Sequence, residues 1–123
     1  MRYLVLLRAA QPATPPPADL MEAIAKLGHE ATVAGALLDT ACLAPSVSGA
    51  TVRLAVGGLS VTDGPFAESK ELISYALYDV RSKEEAVEWA ARFMRLHRDL
   101  WAGWEGEAEV VKVFGSEDFA PPA

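Results

Sequence analysis

Five apolar side chains in a row, Tyr3-Leu4-Val5-Leu6-Leu7, bounded by Arg2 and Arg8, constrain this chain more than any other feature. The run is far shorter than the roughly 18–20 residues of a membrane helix and is continuous rather than periodic, so it reads as a strand apolar on both faces. A strand turns alternate residues to opposite sides, and both sides of this one need cover. What the rest of the chain can supply as cover decides the fold.

After a Pro-rich loop from Ala9 to Pro17, a helical period begins near Ala18. Leu20, Ile24, Leu27, Ala31 and Ala34 fall on one stripe, and Gly35 is a natural stop. Leu37 to Leu43 reads as a second strand, ended by Pro45. Thr51–Val56 and Leu59–Thr62 are extended runs flanking Gly57-Gly58, a pair expected to supply two positive-φ residues at the centre of a hairpin. Asp63-Gly64-Pro65-Phe66 is a turn by composition, and Glu71 to Val80 is the clearest strand. Ser82 and Glu85 match a capping box at the head of a second helix, whose Ala86, Ala90, Phe93, His97, Leu100 and Trp101 share a face until Gly103. Glu109 to Phe114 forms the last strand of a domain expected over residues 1–115, followed by an acidic, Pro-ended tail over 116–123.

With the hairpin set aside the order is βαββαβ, an α+β, ferredoxin-like arrangement with an antiparallel sheet and an inserted β-hairpin. Both helices of such a fold pack on one face of the sheet. The other face should be polar if it meets water. Here Ile73, Tyr75 and Leu77 alternate with Leu72, Ala76, Tyr78 and Val80, so neither face is polar. Two apolar faces and helices enough for one imply a homodimer packed sheet to sheet.

Composition narrows the function classes. About half of the 123 residues are hydrophobic (51%), enough for a real core. The net charge of −6 and the scatter of eleven Lys and Arg argue against direct nucleic-acid binding. Cys42 is the single cysteine, which excludes an internal disulfide; between Ala41 and Leu43 it reads as a small buried hydrophobe. Two distant histidines and no HxH or HExxH spacing give no metal-ligand set, and no P-loop or GxGxxG is present, so no cofactor is expected. Arg8 and the polar, Pro-rich stretch after it are unlike a secretory signal, and no run would span a membrane, so the expectation is a cytoplasmic protein.

The stretch Val61-Thr62-Asp63-Gly64-Pro65-Phe66-Ala67-Glu68-Ser69-Lys70-Glu71 resembles the signature of the YCII-related proteins of the DGPF type. Met1–Val5, Gly35–Pro45, Ser82–Ala90 and Val111–Phe114 extend the resemblance over nearly the whole chain. It implies a dimeric α/β-barrel superfamily fold, in agreement with the two apolar faces. It implies no single activity: relatives in the wider superfamily include small enzymes acting on aromatic or lactone compounds, and some DGPF-type proteins occur beside or fused to sigma factors. A His-Asp pair credited to the YCII branch has its histidine at a position matching Ile24 here, about five residues from His29, and does not carry over.

The residues themselves offer two places for chemistry. Around the DGPF turn, Asp63 could stand at a pocket mouth beside Lys70 and Glu68, a carboxylate and an ammonium poised for proton transfer or polar-ligand binding. The plainer alternative is an Asx turn with solvated charges behind it. On the second helix, His97 lies on the apolar stripe near Trp101 and Trp104, where it could act as a base in an aromatic pocket; a packed histidine bonded to a backbone carbonyl is the alternative. His29, on the side of its helix away from Leu20, belongs in solvent. Trp89, Trp101 and Trp104 could stack on a ring, or simply seal the second helix against the sheet. The residues together favour a small-molecule-binding domain, extending to a cofactor-free enzyme with Asp63 and His97 as acid–base groups and Glu68, Lys70, Tyr75 and Trp101 around the ligand. The alternative is a non-catalytic regulatory or transcription-associated module that binds a protein partner.

Overall fold

The computed structural model describes residues 1–12, 14–115 and 118; of the tail expected over 116–123, all but Asp118 lies outside the described residues. Strand β1 (Arg2–Ala9) is central because it pairs on both edges, antiparallel with β5 (Glu71–Asp79) and with β6 (Glu107–Val113). β2 (Leu37–Cys42) adds to the far edge of β5, giving the order β2-β5-β1-β6. With helices α1 (Ala18–Val33) and α2 (Lys83–Leu100) in the crossovers, this is the expected ferredoxin-like α+β order. Strands β3 (Ala50–Ala55) and β4 (Gly58–Asp63) form the inserted hairpin as a separate two-stranded sheet.

The helices bury one face of β1. Tyr3, Val5, Leu7 and Ala9 are buried, and Tyr3 and Val5 cluster with Ala31 of α1 and Ala86 and Ala90 of α2. Leu4 and Leu6 alternate to the other face, where Leu4 stands between Leu77 and Val111. No element of the described chain is packed there by the core cluster, which lies wholly on the Tyr3 side. The rim at the far end is ionic: Arg8 Nε donates to Glu109 Oε1 at 2.6 Å, and Arg8 Nη1 is 3.8 Å from Glu68 Oε2.

Both helices end as their sequences dictate. α1 closes in a Schellman turn, with Ala36 N donating to Ala31 O at 2.9 Å, Gly35 N to Thr32 O at 3.0 Å, and Gly35 at φ 77°. At the head of α2, Ser82 Oγ accepts the Glu85 N–H at 3.2 Å, and the Glu85 carboxylate reaches back to Arg81 N at 2.9 Å.

Four expectations need correction. The hairpin turns through Val56 and Gly57, and only Gly58 takes positive φ, at 116°, because the Ala55–Gly58 rung closes one residue earlier than a central Gly-Gly pair would. β6 begins at Glu107 rather than Glu109, since β1 offers Arg8 as a pairing partner that far along. Cys42 is exposed, lying on the edge strand β2, where only β5 flanks it. Leu100, at 37% exposure, sits on the last residue of α2 and has left the buried stripe.

The DGPF turn is a clasp. Ser46 is buried in a short turn of 3₁₀ helix, Ser46–Ser48; its Oγ accepts the Phe66 N–H at 2.9 Å and its own N–H donates to Glu71 Oε1 at 2.6 Å. The Ser46 side chain first, then the Ser46 backbone N–H and the Gln11 side chain, hold the Glu71 carboxyl below the usual carboxylate range. Gly64, whose bond to Pro65 is cis, donates to Gly49 O at 2.8 Å. A Cβ on Gly64 would fall inside contact distance of the Ser46 carbonyl oxygen and 2.7 Å from its carbon. Gly64→Ala is therefore expected to cost about 1–3 kcal/mol, as a backbone-level overpacking. Gly57→Ala, which meets nothing within 4 Å, should stay within about 0.5 kcal/mol. Denaturant melts of the two variants measure the difference, and equal losses would mean that the clasp does not require a glycine at position 64.

Candidate functional site

Between the sheet and the helices the core is not filled. A cavity of about 510 Å³ opens there, within the range of small-molecule sites. Its floor is the helix-facing side of the sheet. Leu7 pairs with Ser74, and Ser74 with Cys42, so these three make one rung across β1, β5 and β2. Ile24 and Leu27 of α1 line it from above, which explains why they are half-buried while Leu20 and Ala31 on the same stripe are buried. α2 and the loop after it supply an aromatic wall.

That wall is built around His97. The residue is 4% exposed, and its ring lies 4.6 Å from Phe93 edge-on and 4.4 Å from Trp104, centroid to centroid. Trp101 stacks on Trp104 at 6.1 Å. His97 Nδ1 is 2.9 Å from the Phe93 carbonyl oxygen. A carbonyl only accepts, so Nδ1 carries the proton and Nε2 holds the lone pair. Nε2 makes no hydrogen bond among the described residues. Burial lowers the His97 pKa from its ordinary value, outweighing the Phe93 bond, which raises it. The arrangement is thus a neutral imidazole with an available acceptor nitrogen in an aromatic, largely apolar wall.

The six residues singled out from sequence are divided by the fold. His97 and Trp101 line the cavity, whereas Tyr75 borders it from a strand position whose side chain points to the open face. That position, on β5, pairs with Leu6, and the Tyr75 hydroxyl donates to Asp39 Oδ2 at 2.9 Å; that bond, with burial, raises the tyrosine pKa. Lys70 lines a second, shallower hollow with Arg98, Glu105 and Glu107, and its Nζ is 3.6 Å from Glu107 Oε1. Asp63 and Glu68 line neither hollow. Asp63 ends β4 on a rung with Ala50, exposed, and its carboxylate closes no Asx turn among the described bonds. His29 is exposed, as expected, yet borders the cavity.

Ser74, Phe93, Tyr78 and Cys42 also line the cavity and were not read as site residues. The signal available for Ser74 was a small polar residue within an apolar strand; assigning it to the helix side required the register with Leu7. Among the described residues no group of three His, Cys, Asp or Glu is placed to hold a metal ion, and no helix is long and apolar enough to cross a membrane.

A four-stranded antiparallel sheet, two helices on one face and a hollow between the layers define a ferredoxin-like α+β domain with an internal binding-sized site. The chain belongs to the YCII-related domain family, whose model matches residues 1–104. It is also 45% identical over 58 residues, 46% of its own length, to an uncharacterized protein of Rhizobium meliloti (strain 1021). The match spans 47%, about half, of that relative.

The histidine gives a pH signature. Its folded pKa is depressed, so the unfolded chain takes up the proton first as pH falls. The stability tied to neutral His97 is therefore complete above the unfolded value of about 6.5 and is lost as pH falls from there through the folded pKa. Melts between pH 8 and 5 should show this slope in the native chain. It should be absent in His97→Asn, which keeps a donor for the Phe93 carbonyl but does not titrate over that range. Identical slopes would mean that His97 is not the group responsible.

Proposed function

We propose that this chain binds a small organic molecule in the cavity between sheet and helices, and that His97 Nε2 is the group that accepts a proton or hydrogen bond from it. The observation carrying this is a buried histidine of fixed tautomer on the wall of a cavity of about 510 Å³. Cofactor-free acid–base catalysis is the natural extension, since a neutral imidazole with an open lone pair is a general base near neutral pH. Asp63 and Lys70 belong to this reading only as outer groups; neither lines the cavity. The turn Asp63–Phe66 supports assignment to the DGPF branch of the family. An exposed, unpaired Cys42 suits a reducing compartment such as the cytoplasm.

The working form of the protein, in this proposal, is a homodimer joined through the open sheet face. Leu4, Leu6 and Leu77 on that face would otherwise stay half in water. Light scattering at micromolar concentration should return twice 13.1 kDa, and Leu77→Glu should return the monomer mass with its helices intact. A monomeric native chain overturns the dimer.

A second reading, a protein-interaction module, draws on the hairpin. Val52, Leu54, Leu59 and Val61 occupy one of its faces, and exposure there reaches 110% at the tip residue Val56. This surface is separate from the cavity, so the two readings can be tested apart. A neutral, solvatochromic dye such as Nile red should bind the native chain with a blue shift and quench its tryptophans. Ser74→Phe, which fills the cavity floor and breaks no described hydrogen bond, should abolish that signal while leaving the melting temperature unchanged or higher. Dye binding that survives Ser74→Phe but is lost in Val52→Ser with Leu54→Ser would transfer the site to the hairpin.

A further inference from the structure

Among the described residues, the lining of the cavity includes no Asp, Glu, Lys or Arg. In a chain with 28 such residues among 123, their absence from a surface this large is selective. Charge is not far away. Lys70, Arg98, Glu105 and Glu107 gather in the second hollow, and Trp101 and Trp104 border both spaces. The two indoles therefore stand between a charged hollow and an uncharged one.

We infer that the ligand of the cavity is an electrically neutral, ring-bearing molecule with one hydroxyl, held by that hydroxyl donating to His97 Nε2 and by its ring against the Trp101–Trp104 wall. This rests on the small-molecule reading of the cavity and adds the ligand's charge and its donor group. A carboxylate or phosphate ester would leave water for a site whose described lining brings no Lys or Arg to meet it, and neutral hydroxyl donors alone do not offset the lost hydration of a full charge. An ammonium would meet no carboxylate. A neutral hydroxyl meets the one strong acceptor on the aromatic wall, since the Nδ1 side of the same ring is already committed to the Phe93 carbonyl. Two other hydroxyls on the lining are occupied: Thr32 donates to Gly28 O and Thr40 to Tyr75 O, each at 2.8 Å, while the Tyr75 hydroxyl lies on the open face of the sheet, where it donates to Asp39. Ser74 Oγ and the Tyr78 hydroxyl have no such bond, which leaves them to complete the ligand's hydroxyl oxygen as donors.

Three probes of one shape test this: naphthalene, 2-naphthol and 2-naphthoate, titrated against the tryptophan fluorescence of the full chain at pH 7.5. The expected order is 2-naphthol tightest, naphthalene weaker by about 2–10-fold for the missing hydrogen bond, and 2-naphthoate weaker than naphthalene. In His97→Asn the preference for 2-naphthol, read as the ratio of the 2-naphthol and naphthalene affinities within the variant, should fall to about one. Naphthoate binding as tightly as naphthol overturns the neutral-ligand inference while leaving the cavity a ligand site. An equal naphthol preference in His97→Asn overturns the role of Nε2. Binding of none of the three, with the chain folded by circular dichroism, overturns both the inference and the small-molecule reading beneath it.

Discussion

The register of β1 is the constraint on which the other layers depend. The strand is paired on both edges, so a slip of one residue would exchange Tyr3, Val5 and Leu7 for Leu4, Leu6 and Arg8 beneath the helices. Hydrophobicity offers little resistance to that slip, because both sets are apolar as far as Leu7. The ends of the strand resist it. Arg8, bonded to Glu109 on the open face, would be carried into the apolar layer without a partner. Ala9, 1% exposed, is buried at the end of the helix-facing set. The ladder to β5 shifts between Leu7 and Arg8, locking the pairing where polarity begins. At the other end the Met1 amino group donates to Val80 O at 2.9 Å and anchors the chain start.

That register also creates the hollow. With Ser74 and Ala76 on the helix side of β5, and Ala25 and Gly28 on α1, small side chains face one another across the layer. Packed interiors leave few voids of this size, since the atoms around a void lose dispersion contacts on one side. The aromatic cluster of Phe93, His97 and Trp104 supports one wall by packing on itself. An occupant restores the missing contacts, which makes binding and stability two readings of one quantity.

The sequence was legible where local chemistry decides structure and silent where tertiary register does. Strand order, both helices, the Ser82 cap and the Gly35 stop follow from period and end signals, and the structure has them. The Gly57-Gly58 turn was read one residue off, because the signal of two glycines does not say which of them closes the rung. Cys42 was misread from its apolar neighbours: on an edge strand, neighbours in sequence are not neighbours in space. For the site, the stripe on α2 brought His97 and Trp101 forward, and helical spacing was enough to place both on the cavity wall. Ser74 and Tyr78 stayed hidden because a strand apolar on both faces gives no polarity by which to assign its sides. Asp63 drew attention by composition, yet the hairpin carries it to the surface, out of the helix layer.

The most distinctive run of residues and the most chemically capable ones are therefore different residues. In the DGPF run, Gly64 is required by the approach of the Ser46 carbonyl, Phe66 ties its N–H to Ser46, and Glu71 holds the Ser46 N–H from the start of β5. These are duties of architecture: they fasten the loop after β2 to the point where the hairpin returns to the sheet. The cavity takes its character from positions 74, 97, 101 and 104, and of these four none lies in the run. The clasp can hold the fold whatever side chains form the wall of the hollow. Membership in the YCII-related family accordingly accounts for the sheet and its two helices, whereas the chemistry proposed for the hollow rests on the described lining and on the open nitrogen of His97.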